Sequence, residues 1–134
     1  MKFTLLAALL PAAVFGARVS TSISWDPIYS NGGQSLATVA CSDGNNGLLT
    51  KGYSTFGSLP QFPNIGGSPT IGGWNSANCG KCYNLYYNNA VVKVRAVDTA
   101  PGGWNVAKEV LDKLTGGRAE AVGRINGQYE EVAC

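Results

Sequence analysis

The sequence predicts a small, mainly β protein with a few short helices, in which long ordered connections are held by disulfides. Several short segments alternate apolar and polar residues, as half-buried strands do. Glycine and proline interrupt the chain between these segments, and four cysteines occur among only 134 residues. One segment, near residues 105–117, has a clear helical pattern. Short strands with one helix and long connections favour a small β-barrel.

The first 17 residues have the layout of a secretory signal peptide. Lys2 is followed by an apolar run and then by small residues at Gly16 and Ala17. Pro11 interrupts that run, which is shorter than the ~20 apolar residues that span a bilayer. We therefore expect cleavage after Gly16 or Ala17, a single secreted domain at residues 18–134, and an extracellular location that includes the cell wall.

The charge balance argues against a nucleic-acid partner. The formal net charge is +2, and removal of Lys2 with the signal leaves nine basic and eight acidic residues, a net charge of +1. No clustered basic face accompanies this near-neutral balance, so nucleic-acid binding is not expected. A near-neutral surface with 10% aromatic residues instead favours self-association.

The cysteines indicate two structural disulfides, with three pairings open. Cys79 and Cys82 have the spacing of a thioredoxin-like redox motif, but a tyrosine-rich strand pattern follows them in place of a helix. A zinc site would consume all four thiolates, because the chain has no histidine. We therefore expect neither a metal nor another cofactor.

Local patterns assign the remaining elements. Strands are predicted at 19–25, 35–41, 83–87 and 90–97, the last two joined as a hairpin across Asn88 and Asn89. Residues 52–73 are predicted to form a long loop. A helix is predicted to begin at an Asn105 cap and to end at Gly116. Two closing strands are predicted at 119–125 and 128–133, with a turn between them at Asn126 and Gly127.

The chain's inventory of side chains favours carbohydrate binding. The absence of histidine excludes a Ser-His-Asp triad, whereas aromatic rings, amides and carboxylates are the groups that bind sugar rings and hydroxyls. Asp98 continues the apolar strand face of Val94 and Ala96, so we expect it at the barrel mouth; its alternative role is to start a turn. Trp74, Trp104, Tyr53 and Tyr29 are predicted stacking platforms, although each is also compatible with a core position.

Four segments together resemble the cerato-platanin family of small secreted fungal proteins. They are the run from Cys41 to Cys82, AVD at 96–98, WNVAKEVLDKLTGG at 104–117 and AEAVGRIN at 119–126, and the resemblance covers essentially the whole mature chain. It implies a six-stranded double-psi β-barrel like that of expansins. It also implies disulfides between Cys41 and Cys79 and between Cys82 and Cys134.

The resemblance also implies roles for individual residues. Asp98 matches the family's AVD aspartate, which aligns with the catalytic acid of related endoglucanases, although Thr99 replaces the histidine that usually follows it. Asn105, by local rules a helix cap, matches an asparagine near the family's proposed groove, and Arg124 matches the arginine of its GRxN motif. Asp43 is predicted to lie in a turn. The predicted ligand-binding residues are Asp98, Asn105, Trp74, Trp104, Tyr53, Arg124 and Asp43.

These features predict a secreted, non-enzymatic protein that binds chitin- or cellulose-like β-glycans. An inverting hydrolase needs a second carboxylate about 6.5–9.5 Å from its acid, and no partner motif is visible. The family implies expansin-like loosening of walls and an elicitor or virulence role, with a plant immune receptor as a further partner. Two alternatives remain open: a weak endoglucanase, and a self-assembling protein of the hyphal surface.

Overall fold

The computed structural model describes residues 17–134 and shows a closed barrel of six strands. The strands are β1 Val19–Trp25, β2 Ile65–Ser68, β3 Cys82–Tyr87, β4 Ala90–Thr99, β5 Trp104–Val106 and β6 Arg124–Val132. Their order around the barrel is β1-β5-β2-β4-β3-β6. The β1–β5 and β2–β4 pairs are parallel and the other four are antiparallel. The predicted six-stranded double-psi β-barrel is therefore confirmed.

Short helices surround the barrel. They are the α-helices α1 Lys108–Thr115 and α2 Ala119–Val122, and the 3-10 helices Pro27–Ser30, Leu36–Thr38 and Phe56–Ser58. Helix α1 buries Val110, Leu111 and Leu114 and contacts β4 and β1. It ends at Gly116, whose φ of 69° is left-handed, as the glycine pair predicted.

The predicted hairpin is also confirmed. Strands β3 and β4 pair from Tyr87 and Ala90 to Cys82 and Arg95. The connection passes through Asn88, whose φ is 53°, a conformation that asparagine tolerates better than most residues. The local turn signal was sufficient here because both strands lie beside it in sequence.

Two predicted strand regions are wrong. Residues 35–41 form a 3-10 helix at Leu36–Thr38, because the Ser35 hydroxyl accepts a hydrogen bond from the amide of Ala37 and turns the chain. The closing region contains helix α2 followed by one strand, β6, in place of two strands. Gly127 does not form a turn but lies inside β6, where a Cβ atom would clash with the carbonyl oxygen of Tyr86.

Strand β2 was missed because its sequence, Ile-Gly-Gly-Ser, has little β propensity. It lies inside the predicted loop 52–73 and is buried between β4 and β5. A Cβ atom on Gly66 would lie 2.6 Å from the carbonyl oxygen of Asn105. Close approach of two backbones therefore requires glycine at this position.

Both disulfides implied by the family resemblance are confirmed. Cys41 bonds Cys79 and Cys82 bonds Cys134, with Cα atoms 5.4 and 5.1 Å apart. The first attaches the loop after residue 41 to the segment before β3, and the second attaches the chain end to β3. The predicted signal peptide at residues 1–17 lies, apart from Ala17, outside the described residues. Within residues 17–134, no helix is long and apolar enough to span a bilayer.

Candidate functional site

Strand register brings three predicted site residues into one row across the barrel. Asp98 of β4 pairs with Gly67 of β2, and Gly67 pairs with Asn105 of β5. Asn105 in turn pairs with Ser24 of β1, and Ser24 pairs with Arg124 of β6. Cross-strand partners share a face of the sheet, so we call these five residues, Asp98, Gly67, Asn105, Ser24 and Arg124, the cross-strand row.

The row lies on the outside of the barrel. Trp104 and Val106, which flank Asn105, are fully buried, and so is Ile23 beside Ser24. Because successive side chains of a strand point to opposite faces, Asn105 and Ser24 point outward. Gly67, in the middle of the row, is buried, and a Cβ atom there would lie 3.1 Å from both the Cβ of Ala100 and the carbonyl oxygen of Thr99, so the chain after β4 covers the row at this point.

A bulge determines the direction of Asp98. In the β2–β4 pair, the register shifts between Gly66 and Gly67, so that Ala96 faces Gly66 and Asp98 faces Gly67. The extra residue, Val97, is buried together with Ala96. The expectation that Asp98 shares the apolar face of Ala96 is therefore wrong, because a bulge reverses the alternation at this point.

Asp98 accepts hydrogen bonds from three protein groups. Its Oδ1 accepts from the amides of Ala40 and Thr99, each at 2.9 Å, and its Oδ2 accepts from the Tyr29 hydroxyl at 3.1 Å. Burial, and then the neighbouring Asp98 carboxylate, raise the pKa of Tyr29 well above its usual range. Tyr29 therefore stays protonated and donates a hydrogen bond to Asp98, and at 6% exposure it is not a stacking platform.

Asn105 and Arg124 face the same open hollow of about 270 Å³, which Ser24 and residues 100–103 also line. Arg124 donates from Nη1 to the Ser22 hydroxyl at 3.0 Å, which fixes one side of its guanidinium. The side-chain oxygen of Asn105 is buried and has no hydrogen-bond donor among the described residues. An unpaired buried acceptor costs roughly 1–3 kcal/mol, and because this oxygen has almost no accessible surface, a ligand hydroxyl reaches it only if the amide group turns toward the hollow.

The prediction that Asn105 caps helix α1 is wrong. Asn105 lies in β5, and α1 begins three residues later at Lys108 with no side-chain cap. The backbone of Asn105 is committed to pairing with β1 and β2. Its side chain is therefore available to the hollow.

Trp104 is not part of this surface. It is 0% exposed and packs edge-on against Tyr83 and Tyr129, with ring centroids 5.1 and 5.9 Å away. The predicted stacking role of Trp104 is therefore wrong, because strand pairing on both sides of β5 turns its ring into the barrel.

Trp74 and Asp43 form a second surface feature. Trp74 is 62% exposed, and its indole N–H donates to Asp43 Oδ1 at 2.6 Å. The following residue, Asn75, has a φ of 61° and accepts from the Asn46 amide at 2.9 Å. These contacts hold an exposed indole in a fixed orientation. Neither Trp74 nor Asp43 lines the hollow at Asn105.

Tyr53 belongs to neither group. It is half-buried, and the guanidinium of Arg95 lies 5.4 Å from its ring centroid. Arg95 also donates to the carbonyl of Gly80 and to the side chain of Gln61, each at 3.0 Å. One face of the Tyr53 ring is thus near a cation, and its predicted role in ligand binding has no support from its position.

Sequence analysis missed Ser22, Ser24, Gly67 and residues 101–103 as parts of the site. The alternation of 19–25 marked the serines as outward residues, but only the register with β5 and β6 shows which neighbours they have. Among the described residues, no group of three or more His, Cys, Asp or Glu side chains has the arrangement of a metal site.

The chain has clear relatives of known structure and of known antigenic character. The cerato-platanin family profile matches residues 21–134. Over 127 residues, 51% are identical to Allergen Asp f 15 from Aspergillus fumigatus, covering 95% of this chain and 83% of the relative. The Heat-stable 19 kDa antigen of Coccidioides immitis is 47% identical over 140 residues, covering 99% and 95%.

Solved structures agree with the barrel. Cerato-platanin 2 from M. perniciosa superposes with a TM-score of 0.82 at 42% identity, covering 86% of this chain and 95% of that one. The solution structure of the fungal elicitor Cerato-Platanin gives a TM-score of 0.72 at 40% identity, covering 83% and 91%. The protein therefore belongs to the cerato-platanin family.

Proposed function

We propose that this protein is secreted and binds neutral β-glycans of the chitin or cellulose type at the cross-strand row, without cleaving them. The observation that carries the proposal is that Asn105 and Arg124, which the strand register places on one outward face, line the same open hollow. Amide and guanidinium groups bind sugar hydroxyls by directional hydrogen bonds. Asn105 lines the hollow and supplies an amide group at this position of the row.

The surroundings of the carboxylates support binding over hydrolysis. The residues that line the hollow include no Asp or Glu. Asp98 itself accepts hydrogen bonds from Tyr29, Ala40 and Thr99, which occupy both of its oxygens. An inverting hydrolase needs an acid and a second carboxylate that flank the bond. Asp98 instead ties the Ala40 segment and Tyr29 to the edge of the row.

Secretion is part of the proposal. The signal-like residues 1–17 support it. The two disulfides support it as well, because such crosslinks form in oxidising compartments. Mass spectrometry of culture medium is expected to find a chain that begins at Ala17 or Arg18; retention of the full-length chain inside cells would contradict secretion.

The binding test is titration of the mature protein with chitin and cellulose oligomers, followed by NMR. We expect Asn105→Ala and Arg124→Ala each to weaken binding by about fivefold to tenfold, the value of one hydrogen bond. Asn45→Ala and Arg118→Ala are matched controls, because both residues are exposed and neither lines the hollow. Unchanged affinity in folded Asn105→Ala and Arg124→Ala variants would remove the row from the binding site.

The endoglucanase alternative has its own assay. Release of reducing ends from soluble β-glucan by purified protein, abolished in Asp98→Asn, would establish hydrolysis and contradict the non-catalytic proposal. We expect no release above a buffer control.

Elicitor activity and wall loosening are further parts of the proposal. Membership of a family with a solved member titled a fungal elicitor supports recognition by a plant immune receptor. We expect purified protein to provoke an oxidative burst in leaf tissue and to weaken cellulose paper without releasing sugar. Absence of both responses in correctly folded protein would limit the function to glycan binding.

Self-assembly at the hyphal surface is favoured by one separate observation. The large apolar side chains Val19, Ile28, Trp74 and Val91 are exposed. Formation of ordered films at an air–water interface by a protein with no glycan affinity would favour this function over the binding proposal.

A further inference from the structure

The outward side chains of β1 and β6 form a polar ladder that begins at the cross-strand row. The cross-strand pairs are Ser24 with Arg124, Ser22 with Asn126, and Ser20 with Gln128. Ile23 and Ile125, which alternate with them, are buried. We call these six residues the serine ladder. Its side chains are hydroxyls, amides and one guanidinium, with no carboxylate among them.

The far end of the ladder opens into a larger hollow. This hollow has a volume of about 590 Å³, and its lining includes Arg18, Tyr86, Asn88, Asn126 and Gln128. The guanidinium of Arg18 lies 3.6 Å from the centroid of the Tyr86 ring. The Tyr86 hydroxyl donates to Glu130 at 2.7 Å, so this carboxylate is engaged.

Glycine at position 127 lines this hollow and allows β6 to approach β3 closely. A Cβ atom there would clash with the carbonyl oxygen of Tyr86 on β3. The Arg18 guanidinium stacks on the Tyr86 ring and presents its N–H donors to this hollow. Amide side chains at Asn126 and Gln128 supply both donors and acceptors beside it.

A third hollow connects the two ends. Ser20 and Thr21 line both this middle hollow and the one at Tyr86. Residues 101–103 line both the middle hollow and the one at Asn105. A strand rises about 3.3 Å per residue, so the six steps from Arg18 to Ser24 extend over roughly 20 Å.

We propose that the serine ladder and the hollow at Tyr86 extend the glycan site, so that the preferred ligand is a neutral oligosaccharide lying along β1. This inference rests on the proposed function at the cross-strand row. It adds the direction in which the bound glycan lies and the minimum length of that glycan. A disaccharide reaches only the row, whereas a longer chain also contacts Asn126, Gln128 and Arg18. Both guanidiniums are partnered within the protein, Arg124 by the Ser22 hydroxyl and Arg18 by the Tyr86 ring, and the amides and hydroxyls of the ladder bind uncharged hydroxyls, so a neutral chain fits it.

The test compares ligand lengths in the mature protein that begins at Arg18. Isothermal titration with chitin oligomers of two to six sugars is expected to show affinity that rises with length. A double Asn126→Ala, Gln128→Ala variant is expected to lose about tenfold for the hexamer, the value of one or two hydrogen bonds. The same variant is expected to bind the dimer as the wild type does. A double Asn45→Ala, Gln34→Ala variant is the matched control.

The outcomes separate this inference from the proposed function. If wild-type affinity is independent of length, or if the double variant binds the hexamer normally, the extension is overturned while binding at the row stands. If the wild type binds no chitin or cellulose oligomer of any length, the proposed function fails and the extension fails with it. Stronger binding of a uronate hexamer than of the neutral hexamer would overturn the assignment of a neutral ligand. Spectra of each variant that match the wild type establish that it is folded.

Discussion

The tetrapeptide Gly-Gly-Trp-Asn occurs twice in this chain, at 72–75 and at 102–105, and its two copies have opposite structures. In the first copy, Trp74 is 62% exposed and is held by Asp43. In the second copy, Trp104 is fully buried in the barrel. Identical local sequence therefore does not determine whether a tryptophan faces solvent.

The segments that follow the two copies explain the difference. After Asn75 the chain continues through polar residues to Cys79, whose disulfide to Cys41 fixes a loop. After Asn105 the chain continues as Val-Ala and is paired on both sides, by β1 and by β2. Pairing on both edges imposes strand alternation, which turns Trp104 inward and Asn105 outward.

The largest expected difference between the two copies is the effect of removing each indole on the free energy of unfolding. We expect Trp104→Ala to lower the free energy of unfolding by about 3–5 kcal/mol, because it empties a packed site between Tyr83 and Tyr129. Trp74→Ala is expected to change it by no more than about 0.5 kcal/mol, as for other exposed positions. Urea denaturation measures both values. Equal effects of the two substitutions would contradict the difference in burial.

The disulfide that follows the first copy, between Cys41 and Cys79, is expected to have an effect of comparable size on stability. Cys41 and Cys79 are separated by 38 residues, and the chain-entropy model gives about 4 kcal/mol for a crosslink of that length. A double Cys41→Ala, Cys79→Ala variant is therefore expected to melt well below the wild type. With two such crosslinks around a modest core, we expect the protein to be unusually heat-resistant for its size. A melting temperature unchanged by this substitution would show that the loop is held without its crosslink.

Asp98 lies between the two copies in sequence, and its replacement is expected to have the next largest effect on stability. Sequence analysis placed Asp98 at the barrel mouth, and removal of an accessible side chain costs little stability. Because it accepts hydrogen bonds from Tyr29, Ala40 and Thr99, we expect Asp98→Ala to cost about 2–3 kcal/mol. Tyr29→Phe removes one of these bonds and serves as a partial control. A loss below about 0.5 kcal/mol in a urea titration would favour the accessible-mouth interpretation.

The smallest expected effect concerns pH and the helix that follows the second copy. A hydrogen bond from Lys108, and then one from the amide of Ala119, lower the pKa of Asp112. The stabilisation is therefore complete above the unfolded pKa of about 3.9 and is lost as the pH falls through the lower folded value. We expect Asp112→Asn to reduce slightly the decline of stability between neutral and acid pH. Identical pH profiles for wild type and Asp112→Asn would contradict this role.

Sequence predicted the features that depend on neighbouring residues. The hairpin at Asn88 and the helix end at Gly116 were found because each is set by one or two residues with special backbone conformations. Strand β2 was missed because close approach of neighbouring chain segments, rather than β propensity, favours glycine at positions 66 and 67. The disulfide pairing came from family resemblance, since spacing left three pairings open.

The candidate site could be predicted only in part. Asp98, Asn105 and Arg124 were selected individually, but their alignment depends on four strand pairs, in none of which the two strands are consecutive in sequence. The bulge at Val97, opposite Gly66 and Gly67, reverses the direction of Asp98, and the sequence of β4 itself gives no signal for it. Whether Trp74 contributes to glycan binding stays a prediction.

The most direct test of the central claim is a residue-resolved NMR titration of the mature protein with a chitin hexamer. Binding at the cross-strand row predicts that the largest shift changes occur at Ser24, Asn105 and Arg124, while the indole N–H of Trp74 remains unchanged. Large changes at Trp74 and Asp43, with none at the row, would contradict the account and place the site at the exposed indole.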